Sequence, residues 1–167
     1  VGNQWGTPGV ANSVAVANIG PTVTGLAHTP GVPPSGTAVT VSARLADPDS
    51  VASASLFYRV ASGAWLNTPM TPGADGRHGA SIPGQAAGAL VQFYVRATDA
   101  LGAIADFPAG GAAGGAFFRV SNGDSDASGL RGNLRILISP ENEALLFTNT
   151  NRMSNDTFAG TVIEDER

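Results

Sequence analysis

Between Pro21 and Val120 the chain alternates apolar and polar positions in short runs, each closed by turn-forming residues. Val39, Val41, Ala43 and Leu45 are interleaved with Thr40, Ser42 and Arg44, the period of two expected of a strand with one buried face. Asp47-Pro48-Asp49-Ser50 ends that run, because Pro fixes φ and the Asp side chains accept nearby backbone N–H groups. A second strand is expected over Ala54 to Ala61, with Leu56, Tyr58 and Val60 on one face and Phe57 and Arg59 on the other. Ser62-Gly63 turns the chain into Trp65-Leu66, Pro69 to Gly76 reads as loop, and His78 to Ile82 reads as a short strand closed by Pro83-Gly84. The clearest pattern is Leu90 to Thr98, where Val91, Phe93, Val95 and Ala97 oppose Gln92, Tyr94, Arg96 and Thr98. Asp99 to Gly102 is a tight turn, and Ala116 to Val120 supplies a last strand after the Gly/Ala-rich stretch from Ala109 to Gly115. Six or seven short strands without an amphipathic helix predict an all-β fold, an antiparallel sandwich.

The flanks follow other rules. Residues 1–20 read as an N-terminal linker or edge strand, with the apolar extended segment Val14 to Ile19. The sandwich is expected over 21–120, and a polar linker over 121–133. In 134–167, Leu134, Ile136 and Ile138 alternate as a strand, after which Ser139 is placed to cap a helix opening on Pro140. Glu141 and Glu143 suit the positive end of that helix, and Thr161 to Ile163 begins another strand. This short α+β fragment is too small to bury a core of its own and is expected to be the truncated start of a further domain.

Composition narrows the function classes. Gly (22) and Pro (11) make up about a fifth of the 167 residues, below the level that marks disorder. Leu, Ile, Val and Phe number 38, so the core must be economical. No apolar run reaches the ~20 residues of a membrane-spanning helix. Cys and Lys are both absent, which removes disulfides, thiolate metal sites and any phosphate-binding lysine. The net charge of −4 lies wholly beyond residue 120, where eight acids face four Arg, and no basic patch suggests nucleic-acid binding. The chain opens on Val1 without a basic-apolar leader, and so reads as processed or cut from something longer.

Candidate chemistry is sparse. Asp124-Ser125-Asp126-Ala127-Ser128-Gly129 is similar to the opening of a calcium loop, but the twelfth position, which should supply a bidentate acid, is Arg135; the run is read as solvated linker. Asp47 and Asp49, with Asp99 if it lies close, are weaker acidic candidates of the same kind. His28 and His78 stand alone beside turn residues and read as surface or rim histidines, which leaves no zinc set. No Gly-x-Ser-x-Gly elbow or nucleophile–base pairing is evident, so no catalytic residue, cofactor or metal is assigned. Trp65, Tyr58 and Tyr94, with Trp5 and Phe57, form a candidate stacking surface for sugars; the competing expectation is packing, with Trp65 over an edge of the core and Tyr94 across the sheet from its neighbours. Asn155-Asp156-Thr157 fits the glycosylation sequon, a triplet that is frequent by chance.

Leu56-Phe57-Tyr58-Arg59-Val60, Trp65 with Pro69-Met70, Ile82-Pro83-Gly84-Gln85 and the run Val91 to Gly102 resemble the immunoglobulin-like or fibronectin-III-like domain that precedes the kinase domain of bacterial spore-coat-protein-H (CotH) kinase family proteins. Leu134 to Pro140 and Asn151 to Asp156 resemble the opening of that kinase domain, and Thr7 to Ser13 resembles the end of a lamin-tail domain. The resemblance implies a secreted or cell-surface parent protein in which this chain is a non-catalytic spacer, adhesion or binding module. Its implied partners are the neighbouring domains of the parent chain, a surface protein or a glycan. The family's nucleotide- and metal-binding acids lie downstream of the matching strands, so none transfers to this chain. Two alternatives come from the residues themselves: self-assembly by strand addition through Val14 to Ile19, and carbohydrate binding at Trp65 and Tyr94.

Overall fold

A computed structural model describes residues 18–123, 134–148, 157, 158 and 160–164. Its strands are β1 (Thr22–Thr29), β2 (Val39–Ala46), β3 (Val51–Val60), β4 (Leu66–Pro69), β5 (Thr71–Pro72), β6 (His78–Ile82), β7 (Leu90–Asp99), β8 (Ile104–Phe107) and β9 (Ala116–Arg119). After them come β10 (Leu134–Ile138), helix α1 (Pro140–Leu146) and β11 (Gly160–Glu164). One sheet runs β1-β2-β6-β5 and the other β4-β3-β7, with β8 and β9 sharing the far edge of β7. β9 pairs with Leu90 to Phe93 and β8 with Val95 to Thr98. All pairings are antiparallel, and the strand order is that of an immunoglobulin-like sandwich, A-B-E-D facing C′-C-F-G, with G split in two.

The period-two runs fix the core. Val39, Val41 and Ala43 of β2 face Leu56 and Tyr58 of β3 and Val91, Phe93, Val95 and Ala97 of β7, and Phe118, Val120, Ile82 and Met70 close the same cluster. The register sets Leu56 opposite Val95 and Tyr58 opposite Phe93, so each inward side chain meets another across the ladder. Burying side chains of this size stabilises the fold by about 1.5–3 kcal/mol apiece.

Strand β1 conceals its pattern behind a β-bulge. The register jumps between Thr24 and Ala27, with Gly25 at φ 58°. Val23 faces the core before the bulge, and Leu26 and His28 face it afterwards, so the inward positions change parity. The Arg77 guanidinium holds the bulge by donating to the Gly25 and Ser42 carbonyls and to the Ser42 hydroxyl.

Three expectations change. Pro69 to Gly76 is not all loop, because Thr71 and Pro72 pair with Gly79 and His78 at the sheet edge, where a missing Pro N–H costs nothing. Ile104–Phe107 forms β8 where no strand was read; its apolar residues are exposed at the edge and give no inward alternation. His28 is not a surface histidine: it is half-buried, its ring 5.5 Å from Phe118 and 5.6 Å from Phe93. Burial pulls its pKa down, against a smaller upward pull from its hydrogen bond to the Gly31 carbonyl.

The C-terminal fragment packs on the sandwich. β10 and β11 form an antiparallel hairpin, and α1 is capped by the Ser139 hydroxyl, which accepts from the Asn142 N–H at 3.1 Å. Leu137 and Ile163 on the inner face of the hairpin bury against Phe117 of β9, with Val32 and Leu90 alongside. The Phe117 N–H donates to the Thr161 hydroxyl at 2.8 Å. The expectation that this fragment lacks a core holds only for the fragment in isolation, since the outer face of β9 supplies the missing half.

Candidate functional site

The outer face of the β3-β7 sheet collects most of the residues singled out in the sequence. Pleating turns Phe57 and Arg59 of β3 and Gln92, Tyr94 and Arg96 of β7 away from the core. Phe57 lies directly opposite Tyr94, and their rings stack at 4.9 Å with 7° between planes. Trp65, just before β4, sets its ring edge-on to Tyr94 at 5.0 Å. Arg59 lies over Trp65 at 5.1 Å, and Arg96 lies over Phe57 and Tyr94 at 5.5 and 5.8 Å. Each aromatic pair is worth about 0.5–1.5 kcal/mol beyond its burial.

Polar partners pin this ladder. Arg96 grips Asp106 of β8 with two bonds of 2.7 and 2.8 Å, and that hydrogen bonding holds its guanidinium proton tighter than usual. Both groups remain partly solvated, so the pair contributes about 0.5–1 kcal/mol. The Arg59 Nε–H donates to Gln92 Oε1 at 2.8 Å, and Gln92 Nε2 donates to the Ala112 carbonyl at 3.2 Å. Burial pushes the Tyr94 phenol above its usual pKa, with Arg96 and Asp106 pulling in opposite directions.

Trp65 and Tyr94 are therefore brought together, whereas Tyr58 is not with them. It is buried on the opposite face of β3, opposite Phe93. Tyr94 is only 5% exposed and one ring face is already stacked on Phe57, so a sugar ring has no Tyr94 face to lie on. Trp65 packs on the outer face of the sheet rather than over an edge of the core. Trp5, the Asp124 to Gly129 run, the sequon at Asn155 and Val14 to Ala17 lie outside the described residues.

The same outer face continues into the C-terminal fragment. The Arg59 guanidinium comes within 3.6 Å of Glu141 at the start of α1, and the Ser62 hydroxyl donates to the same carboxylate at 3.4 Å. The Glu141 backbone N–H and the Ser139 hydroxyl hold the Glu141 carboxyl below its usual pKa, with Arg59 adding to the effect. Phe117 is 1% exposed beneath Leu137 and Ile163. One end of the C′-C-F-G face is thus covered by its own ladder of rings and guanidinium groups, and the other by the β10-α1-β11 unit.

Neither Phe117 nor Glu141 was a sequence candidate. A signal was present in Phe117-Phe118: adjacent residues of a strand point to opposite faces, so two large apolar neighbours require a cover on both sides of the sheet. Phe118 is covered by the facing sheet, and Phe117 by the C-terminal hairpin.

Other chemistry is thin. Asp99 is buried, with Oδ2 accepting from Asn18 at 2.7 Å and Oδ1 from the Leu101 and Ala103 N–H groups at 2.9 and 2.8 Å. Burial alone raises its pKa, but these hydrogen bonds outweigh it and leave the carboxyl below its usual value. Both oxygens are thereby committed to closing the β7-β8 turn. Asp47 caps its own turn by accepting from the Asp49 N–H at 2.8 Å. Among the described residues no three His, Cys, Asp or Glu side chains converge, and no helix is long and apolar enough to cross a membrane. Compared with protein-family models and with curated proteins, the chain matches none.

Proposed function

We propose that the chain is a non-catalytic, extracellular sandwich module that acts as a spacer, fixing the orientation of the polypeptide that follows its last sandwich strand. The observation that carries this reading is the burial of Phe117 between the sandwich and the β10-β11 hairpin, reinforced by the bridge from Arg59 to Glu141. A flexible tether would leave the outer face of β9 exposed; an apolar cluster joined by a directed hydrogen bond from Phe117 to Thr161 restrains both the distance and the rotation of the C-terminal unit. The resemblance of Leu134 to Pro140 to the opening of a kinase-like domain supports a larger secreted or surface protein as the setting, with that domain as the thing positioned.

Small-angle scattering on the full chain tests the reading. Phe117→Asp should release the C-terminal unit and increase the radius of gyration while the circular dichroism of the sandwich is retained; an unchanged radius would count against the spacer role. ATP hydrolysis or phosphotransfer by the chain above background would overturn the non-catalytic part. Carbohydrate binding has less support, because Tyr94 is consumed by internal stacking and Tyr58 lies in the core.

A further inference from the structure

The hairpin that buries Leu137 and Ile163 inward presents a second apolar face outward. Ile136 and Val162 are directly opposite in the ladder, and Leu134 lies on the same face; they are 68%, 62% and 60% exposed. The end of α1 extends this surface with Leu145, Leu146 and Phe147, at 46%, 45% and 72%. Ile136, Leu146 and Phe147 line one groove of about 390 Å³, which makes the two patches continuous. Isolated exposed apolar residues need no explanation, but six on one small unit do.

We propose that this face joins two copies of the chain about a twofold axis. Three observations favour a second copy as the occupant. The six side chains together offer on the order of 700 Å² of surface, close to the ~800 Å² per partner of a standard interface. Arg119 and Glu143 both border the groove, and neither forms an ion pair among the described residues. A twofold partner brings one charge of each sign, so both are complemented at once, which a purely basic or purely acidic partner would not achieve. The sandwich edges, by contrast, are guarded: β4 and β5 each end on Pro, and β1 carries its bulge. Leu134-Arg135-Ile136-Leu137-Ile138 has no such guard and a single charge.

Sedimentation velocity over a concentration series of the full chain decides the matter. The wild type should pass from monomer to dimer with a dissociation constant in the micromolar range or tighter. Ile136→Arg, at an exposed position that leaves the monomer fold intact, should weaken the dimer at least tenfold, and Val162→Glu should repeat the effect from the facing strand. Val16→Asp, in the N-terminal apolar segment, should leave it unchanged. A chain that stays monomeric at every concentration overturns the proposal, as does a dimer that resists both hairpin variants or dissociates only with Val16→Asp.

Discussion

Replacing Phe117 by Ala separates docking of the C-terminal unit from folding of the sandwich. The ring is 1% exposed and forms the centre of a cluster whose other buried members are Leu137 and Ile163. Truncating a buried Phe costs about 3–5 kcal/mol, and so small a cluster, able to relax, puts the loss near the lower end. About 3 kcal/mol is roughly a 150-fold shift from docked toward undocked. The Arg59 to Glu141 bridge cannot compensate, because at 3.6 Å with Glu141 half solvated it contributes only about 0.5 kcal/mol. A lone two-stranded hairpin is marginal in water, so undocking should melt β10 and β11. Native-state hydrogen exchange reads this directly: amides of Thr161 to Glu164 should lose protection in Phe117→Ala while those of Val39 to Ala46 and Leu90 to Asp99 keep theirs. Phe118→Ala, which opens a cavity in the main core, should instead lower protection throughout the sandwich. If Phe117→Ala affected both regions equally, or neither, the assignment of that ring to docking would be refuted.

Three further outcomes are expected. Because burial depresses the folded-state pKa of His28, the unfolded chain binds more protons just below the ordinary value of 6.5. Denaturant stability should therefore be full above that pH and fall as pH drops toward the depressed folded value; His28→Phe should flatten that slope, and an equal slope in both proteins would contradict the burial of the ring. Gly20→Ala would place a Cβ 2.6 Å from the Ile104 carbonyl carbon, so the segment leading into β1 must shift and urea titration should show a loss of about 1–3 kcal/mol; an unchanged midpoint would contradict that close approach. Trp65→Ala should cost about 1–2 kcal/mol of stability through its lost contacts with Tyr94 and Arg59. Loss of binding on a glycan array by that variant, with stability intact, would instead favour a sugar site.

The strands that face a single layer of neighbours were legible because their alternation is uninterrupted: β2, β3 and β7 show their inward residues at every second position. The Ser139 cap was equally legible, since its signals are local. β1 was hidden because the bulge at Gly25 reverses its parity, which also concealed His28 as an inward-facing residue. β5 and β8 are edge strands held by backbone pairing, and edge pairing leaves little trace in side-chain pattern. The outer face was read residue by residue as a ligand surface, and Tyr58 was grouped with Trp65 and Tyr94 although its own alternation assigns it to the core. The docking of the hairpin depends on contacts such as Phe117 to Thr161, 44 positions apart, which periodicity does not register.

The central claim is that the sandwich and the β10-α1-β11 unit move as one body. Residual dipolar couplings of the full chain in a weakly aligning medium test it most directly. A single alignment tensor should fit the amides of β2, β3 and β7 together with those of β10 and β11. Two distinct tensors, or couplings averaged toward zero in the C-terminal unit alone, would contradict the account.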